Sequence, residues 1–280
     1  MREVIINKLS GLYTRKSFLK LSAATIFTTS CYSNDLFKYS IHEVKGDYSG
    51  ENINIANAAL IESMYNNPNS DFSFAVIADS HSYYDELRDA IKIISMKKDV
   101  CFVLHLGDFA DCGLLFEYEQ TIKILEKLPV PYVTVIGNHD TLGNGLKIFN
   151  DIFGVTNFSF QCNGVFFIIA NNNNWESDIV SLDEGISLLE NRQKDRYKVI
   201  VTHIPVLNGS RFSERLCDEY SEMCISHNIN LSLHGHKHKH NYVDNFTEKT
   251  SMVVADAILN RVFYLFHVNS SGIEFEMVKF

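Results

Sequence analysis

The chain has 280 residues, 46% hydrophobic and 21% charged, with a formal net charge of −9. That composition excludes a disordered, collagen-like or coiled-coil chain, and no apolar run approaches the roughly 20 residues of a membrane span. Five of the basic residues (Arg2, Lys8, Arg15, Lys16 and Lys20) fall in the first 30 positions against one acid, Glu3. The body of the chain is therefore strongly acidic and gains little from counterion release on DNA or RNA.

In chain order, residues 14–20 read Thr-Arg-Lys-Ser-Phe-Leu-Lys, followed by a short apolar stretch over 21–27 and small residues up to Cys31. A basic segment, a short apolar segment and small residues make an export signal. The pattern resembles a twin-arginine signal, with Lys16 in place of the second Arg. Export to the periplasm, or to the outer side of a membrane with Cys31 as a lipid anchor, is the expected location. The competing reading is a basic amphipathic helix on a cytoplasmic protein. Residues 32–70 form an extension with one helix over 52–65, on the spacing of Ile53, Ala56, Ala59, Leu60 and Met64.

Strands and helices then alternate. Strands are predicted over 72–78, 101–106, 132–136, 198–202 and 231–233, and helices over 83–97, 115–128, 182–192 and 214–227. These strands are apolar runs, as in a parallel sheet covered on both faces. Asn163-Gly164 marks a hairpin between strands at 158–161 and 165–170. The tail from residue 251 alternates like antiparallel strands and turns near Ser270-Ser271-Gly272. Cysteine usage shows no disulfide framework. Cys217 and Cys224 lie about 10 Å apart along one predicted helix, too far to bond, and Cys101 reads as a small core residue.

The chemistry sits where strands stop: Asp79-Ser80-His81, Gly107-Asp108-Phe109-Ala110-Asp111, Gly137-Asn138-His139-Asp140, Thr202-His203, and His234-Gly235-His236-Lys237-His238. In open α/β sheets, ligands bind outside the carboxyl ends of strands, so five distant clusters can converge. Asp79, His81, Asp108, Asn138, His203, His236 and His238 are too many donors for one ion. Two ions sharing Asp108 use them all, with Asp79, His81 and His238 on one side and Asn138, His203 and His236 on the other. The imidazole and carboxylate mixture points to a transition-metal pair of manganese, iron or zinc rather than calcium.

These motifs resemble those of the calcineurin-like metallophosphoesterases: Asp-x-His, Gly-Asp-x-x-Asp, Gly-Asn-His-Asp, a later His and Gly-His-x-His, spread over residues 79–238. The resemblance covers residues 71–280. It implies an αββα sandwich of two mixed sheets flanked by helices, a dinuclear centre, and hydrolysis of a phosphomonoester or phosphodiester by a metal-bridging hydroxide. In that reading His139 serves the leaving group or the equatorial oxygens, and Asp140 orients its ring. Asp111 either orients a ligand or caps its loop. His105 points into the fold. His234 and His240 flank the last motif.

Substrate selection falls to loops 171–175 and 202–212, where Arg211 is either a phosphate clamp or a solvated surface residue. Cys112-Gly113 after the second motif disfavours a protein phosphatase, and His139 disfavours the lipid A pathway hydrolases. Small bacterial phosphodiesterases, cyclic-nucleotide hydrolases among them, are the nearest general likeness, with a small phosphoester as substrate. The rival readings are a non-catalytic interaction module and a nuclease of the same superfamily.

Overall fold

The computed structural model describes residues 40–44, 48–173, 187, 195–207 and 211–280. The chain divides into two units at Ser40, and the second, 41–280, carries every element named below. The export signal expected over 1–31, Cys31, most of the helix predicted over 182–192, and Asn174, Trp175 and residues 208–210 of the two expected substrate loops lie outside the described residues. Among the described residues, no helix is long and apolar enough to cross a membrane.

Eleven described strands build two mixed sheets. One contains β1 (Phe72–Ile77), β2 (Val100–His105), β3 (Tyr132–Thr134), β10 (Val262–Asn269) and β11 (Gly272–Lys279), in the order β11-β10-β1-β2-β3. The other contains β4 (Phe158–Cys162), β5 (Val165–Ile169), β6 (Tyr197–Val201), β7 (Leu231–His234), β8 (Asn241–Val243) and β9 (Ser251–Val254), in the order β4-β5-β6-β7-β9-β8. β1, β2 and β3 run parallel, as do β5, β6, β7 and β9. The two mixed sheets match the sandwich implied by the motifs.

The tail differs from the expected all-antiparallel run. β10 and β11 form an antiparallel hairpin, but β9 lies parallel to β7 in the other sheet. Its apolar Met252-Val253-Val254 is buried, as suits an inner strand of a covered sheet.

Aromatic residues fill the space between the sheets. Phe74 stacks on Phe102 at 5.2 Å, and Phe102 meets Phe160 and Phe167 edge-on at 5.5 and 5.3 Å. The outer face of the first sheet is covered by α2 (Tyr84–Ile94), α3 (Leu115–Leu125) and α4 (Gly145–Phe153). The outer face of the second sheet packs on α5 (Glu214–Ser226). In α2, Leu87, Ala90, Ile91 and Ile94 are buried at helical spacing, and Asp85 and Glu86 suit the positive end of the helix dipole.

The helix of the N-terminal extension, α1 (Ile53–Met64), closes the edges of both sheets. Asn54, fully buried, accepts from Thr134 N at 2.8 Å and donates to Thr134 O at 2.9 Å, so its carboxamide stands in for the missing strand beside β3. Asn57 donates to Tyr132 O. On the other sheet, Glu62 accepts from Gln161 N, and Tyr65 O accepts from Asn163 N. Asn54→Ala leaves both polar groups of Thr134 buried without partners. We expect it to cost about 2–4 kcal/mol, read as a lower urea midpoint with an unchanged slope.

Candidate metal centre

All five motif loops meet at the carboxyl end of the sandwich. Two groups of potential ligands emerge, Asp79–His81–Asp108–His238 and Asp108–His203–His236, and within each the ligand atoms lie within 4.8 Å of one another. Asp108 belongs to both. Asn138 joins the second group, with its Oδ1 2.8 Å from His236 Nδ1. The structure thus brings together the seven residues singled out in the sequence, six of them in two groups that share Asp108 and Asn138 beside His236.

Each strand delivers its residues by a sharp turn. Asp79, His81, Asp108, His236 and His238 all hold positive φ, between 43° and 71°. A non-glycine residue there costs of order 1–3 kcal/mol, and such strain gathers at functional sites. The loops also approach through bare backbone. A Cβ on Gly107 would lie 2.8 Å from Gly137 N and from His203 Nδ1, and one on Gly137 would lie 2.2 Å from Asp108 N. Side chains there would push the Asp108 and Asn138 loops apart.

Hydrogen bonds set the tautomers. His203, fully buried, donates from Nδ1 to Leu106 O at 2.7 Å, which leaves Nε2 facing Asp108 Oδ2 at 3.2 Å. That nitrogen makes no aligned hydrogen bond, the disposition of a ligand atom. His81 turns Nδ1 to Asp111 Oδ1 at 3.0 Å, and its Nε2 lies 3.4 Å from His238 Nε2. A carboxylate behind a histidine fixes the ring and raises its basicity toward a metal. Asp111 stands in the place for that role, at 3.0 Å from Nδ1 but without an aligned hydrogen bond to it. Asp79 accepts His236 N–H on both oxygens, at 2.9 and 3.0 Å. A set of imidazole nitrogens, carboxylates and one carboxamide, with a buried nitrogen aimed at a shared carboxylate, fits two divalent ions.

The electrostatics are those of a site ready to exchange protons for metal. Burial works against a charged Asp108, yet His203 and the His139 N–H hold its carboxyl below the usual range. Burial equally opposes protonation of His203, yet Asp108 and then Asp79 raise it to about 9. Burial, His203 and Arg211 hold His236 down at about 3. A metal binding His203 Nε2 near neutral pH must therefore displace a proton. Affinity should rise by roughly tenfold per pH unit below about pH 9 for each proton released. Calorimetric titration with zinc in buffers of different ionisation enthalpy reads that release directly, and a buffer-independent heat would mean that His203 is already neutral before the metal binds.

Several neighbours differ from expectation. Asp140 does not orient His139. Its Oδ1 accepts from Phe109 N and Ala110 N, and its Oδ2 from Asp108 N and Gly137 N, at 2.8–3.0 Å. Burial and Asp108 push this carboxyl up, but four N–H donors fill its four lone-pair sites and leave no room for a proton. Asp140 is the clasp that locks the second motif loop to the third. His139 is held instead by the backbone, donating from Nδ1 to Asp111 O at 2.9 Å, and its ring meets His81 edge-on at 4.9 Å.

In the described part of the loop after β5, Asn171, Asn172 and Asn173 are buried, and Asn172 pairs with both N–H and C=O of Ile204, beside His203. His105 is buried between Ser80 and Gly107 N, as expected. His234 is buried between Thr202 and Ser232, and His240 stacks on Tyr264 at 5.5 Å. Arg211 is half-buried, and its charge acts on His236.

Residues 72–240 match the calcineurin-like phosphoesterase family. Among solved structures, the fold is similar to that of purple acid phosphatase PPD1 from yellow lupin (Lupinus luteus) seeds. The two share 16% identity with a TM-score of 0.60, over 75% of this chain and 52% of that one. It is also similar to GAP50, the anchor in the inner membrane complex of Plasmodium, at 13% identity and TM-score 0.59 over 75% and 84% of the two chains. TT1561 of Thermus thermophilus gives 13% identity and TM-score 0.51 over 74% and 99%. The chain spans about half the length of the lupin phosphatase. No curated protein matches.

Proposed function

The chain belongs to the calcineurin-like phosphoesterase family, and on that premise we propose that it hydrolyses a small phosphomonoester or phosphodiester at a two-metal centre. The observation that carries this is Asp108, one carboxylate common to two ligand groups, with His139 beside it. Two divalent ions bound there supply Lewis acidity toward phosphoryl oxygens and lower the pKa of water.

The chain's own residues do the rest. Asp79, His81 and His238 would hold one ion, Asn138, His203 and His236 the other, and Asp108 would serve both. His139 has its Nδ1 proton committed to Asp111 O, so Nε2 is the atom that can carry a proton to the leaving oxygen. Asp140 keeps the Asp108 and His139 loops in register. Arg211, near His236, is the candidate contact for a substrate phosphate oxygen.

The fold by itself does not select catalysis, since one of its likenesses is a phosphatase and another an anchor. Retention of every ligand residue and of His139 favours an enzyme over an interaction module, and the acidic body disfavours a nuclease. Residues 1–31 fit an export signal, which would place the enzyme outside the cytoplasm, and Cys31 is the candidate anchor.

The test is a hydrolysis panel on the protein loaded with manganese, zinc or iron. It covers phosphomonoesters, an activated diester, cyclic nucleotides, nucleotide sugars and phospholipid head groups. We expect turnover of at least one class that chelation abolishes. Two bound metals per chain with no turnover of any class would favour the interaction module.

A further inference from the structure

β2 is irregular at the end remote from the metal centre. In its parallel pairing with β1, Ser73 lies opposite Val100 and Ala75 opposite Val103. Two steps along β1 therefore match three along β2, a bulge at Cys101-Phe102. In a regular strand, alternate residues share a face, and Cys101 would join Val103 under the helices. The bulge turns it inward. Val100 and Val103 both pack under the helices, whereas Phe102 and Cys101 pack in the core between the sheets.

The facing strand offers a partner. β4 directs Phe158, Phe160 and Cys162 into the same inter-sheet core. Phe102 meets Phe160 edge-on at 5.5 Å, so the next positions outward, Cys101 and Cys162, face each other. Cys101 and Tyr65, just after α1, both pack against the inter-sheet cluster that contains Cys162, and the two thiols shift each other's acidity. Sheets packed face to face ordinarily lie about 10 Å apart, and the bulge places Cys101 on the face that looks across this gap toward Cys162.

The two sulfurs are unequal. Cys162 is buried and Cys101 partly exposed. Cys162, outweighing the burial that opposes it, and then Tyr65 hold Cys101 below the ordinary thiol range. Its neighbour Cys101, then burial, pushes Cys162 up. Cys101 is thus the accessible nucleophile and Cys162 the thiol that follows.

We propose that Cys101 and Cys162 form a disulfide that staples the two sheets together when the protein meets an oxidising thiol–disulfide pool. The Cys101 thiolate attacks a small-molecule disulfide and releases one thiol, leaving a mixed disulfide. Cys162 attacks the Cys101 sulfur of that bond and releases the second. Two protein thiols are oxidised, one external disulfide is reduced to two thiols, and the two protons leave on them. The bond closes a loop of about 60 residues, long enough to restrict the unfolded chain strongly.

The test equilibrates the full-length protein in mixtures of oxidised and reduced glutathione, followed by alkylation, digestion without reduction and peptide mapping by mass spectrometry. We expect a Cys101–Cys162 linked peptide and an oxidised form melting roughly 10 °C above the reduced one. Cys162→Ser should instead trap glutathione on Cys101 and lose the difference in Tm. Full alkylation of Cys162 in oxidised wild-type protein, with Cys101 free or carrying glutathione, would overturn the proposal. The wild-type peptide map decides this even if the variant does not fold.

Discussion

Asp108→Asn loses most of its bound metal and, with it, activity by on the order of 10³-fold or more. The substitution is close to isosteric, and Asn tolerates the left-handed backbone, φ 54°, as readily as Asp. The fold therefore has no steric reason to fail. What changes is the shared carboxylate. Oδ1 accepts from His139 N at 2.9 Å, and Oδ2 stands 3.2 Å from His203 Nε2 and 3.9 Å from His81 Nε2. A carboxamide offers one oxygen where two are used, and its NH₂ group faces either an N–H donor or a ligand nitrogen. The negative charge that favours two cations side by side is gone as well.

His238→Ala serves as the comparison, because His238 belongs to one ligand group only and is about half exposed at the rim. It should lose less metal. Elemental analysis after gel filtration, with a melting curve on each variant, makes the distinction. Near two metals per chain in Asp108→Asn would mean that the carboxylate is not shared.

The five strand-end loops were legible because each follows an apolar run, and only a strand's end explains polar donors placed there. What side chains do within those loops was less legible. Asp140 follows His139 directly, and adjacency suggested that the carboxylate serves the ring. In the turn the two side chains diverge, and Asp140 reaches back across about 30 residues of sequence to three successive amides. Backbone donors leave no mark in a sequence, so no pattern of residue types could have shown this.

α4 is a different kind of miss. Ile148, Phe149, Ile152 and Phe153 are buried at helical spacing, and that signal was present. No element is predicted there, because Gly143 and Gly145 stand at its start and glycine is a poor helix former. Asn54 and Asn172 share a third cause. A buried Asn that replaces a strand or pairs a peptide unit has the composition of a turn, and only its partner, Thr134 or Ile204, distinguishes the two.

His139→Ala keeps both metals and loses rate, by roughly 10²–10⁴-fold. His139 belongs to neither ligand group. Its contact with Asp108 runs through the backbone N–H, which alanine retains, so the shared carboxylate keeps its support. The loss should depend on the leaving group. An activated aryl alcohol departs as its anion and needs little proton donation, whereas an alkyl alcohol needs a full proton. The alkyl substrate should therefore suffer more.

Asp111→Asn is the control that separates the ring's two neighbours. The carbonyl that holds His139 survives in Asn, while the carboxylate behind His81 Nδ1 does not. That variant should bind metal about 10–100-fold more weakly yet, once saturated with metal, keep the wild-type ratio between the aryl and alkyl substrates. Metal content together with kcat on a matched aryl and alkyl pair tests both variants. Equal losses for the two substrates in His139→Ala would leave the ring an electrostatic role only, and a loss of metal in that variant would place His139 among the ligands.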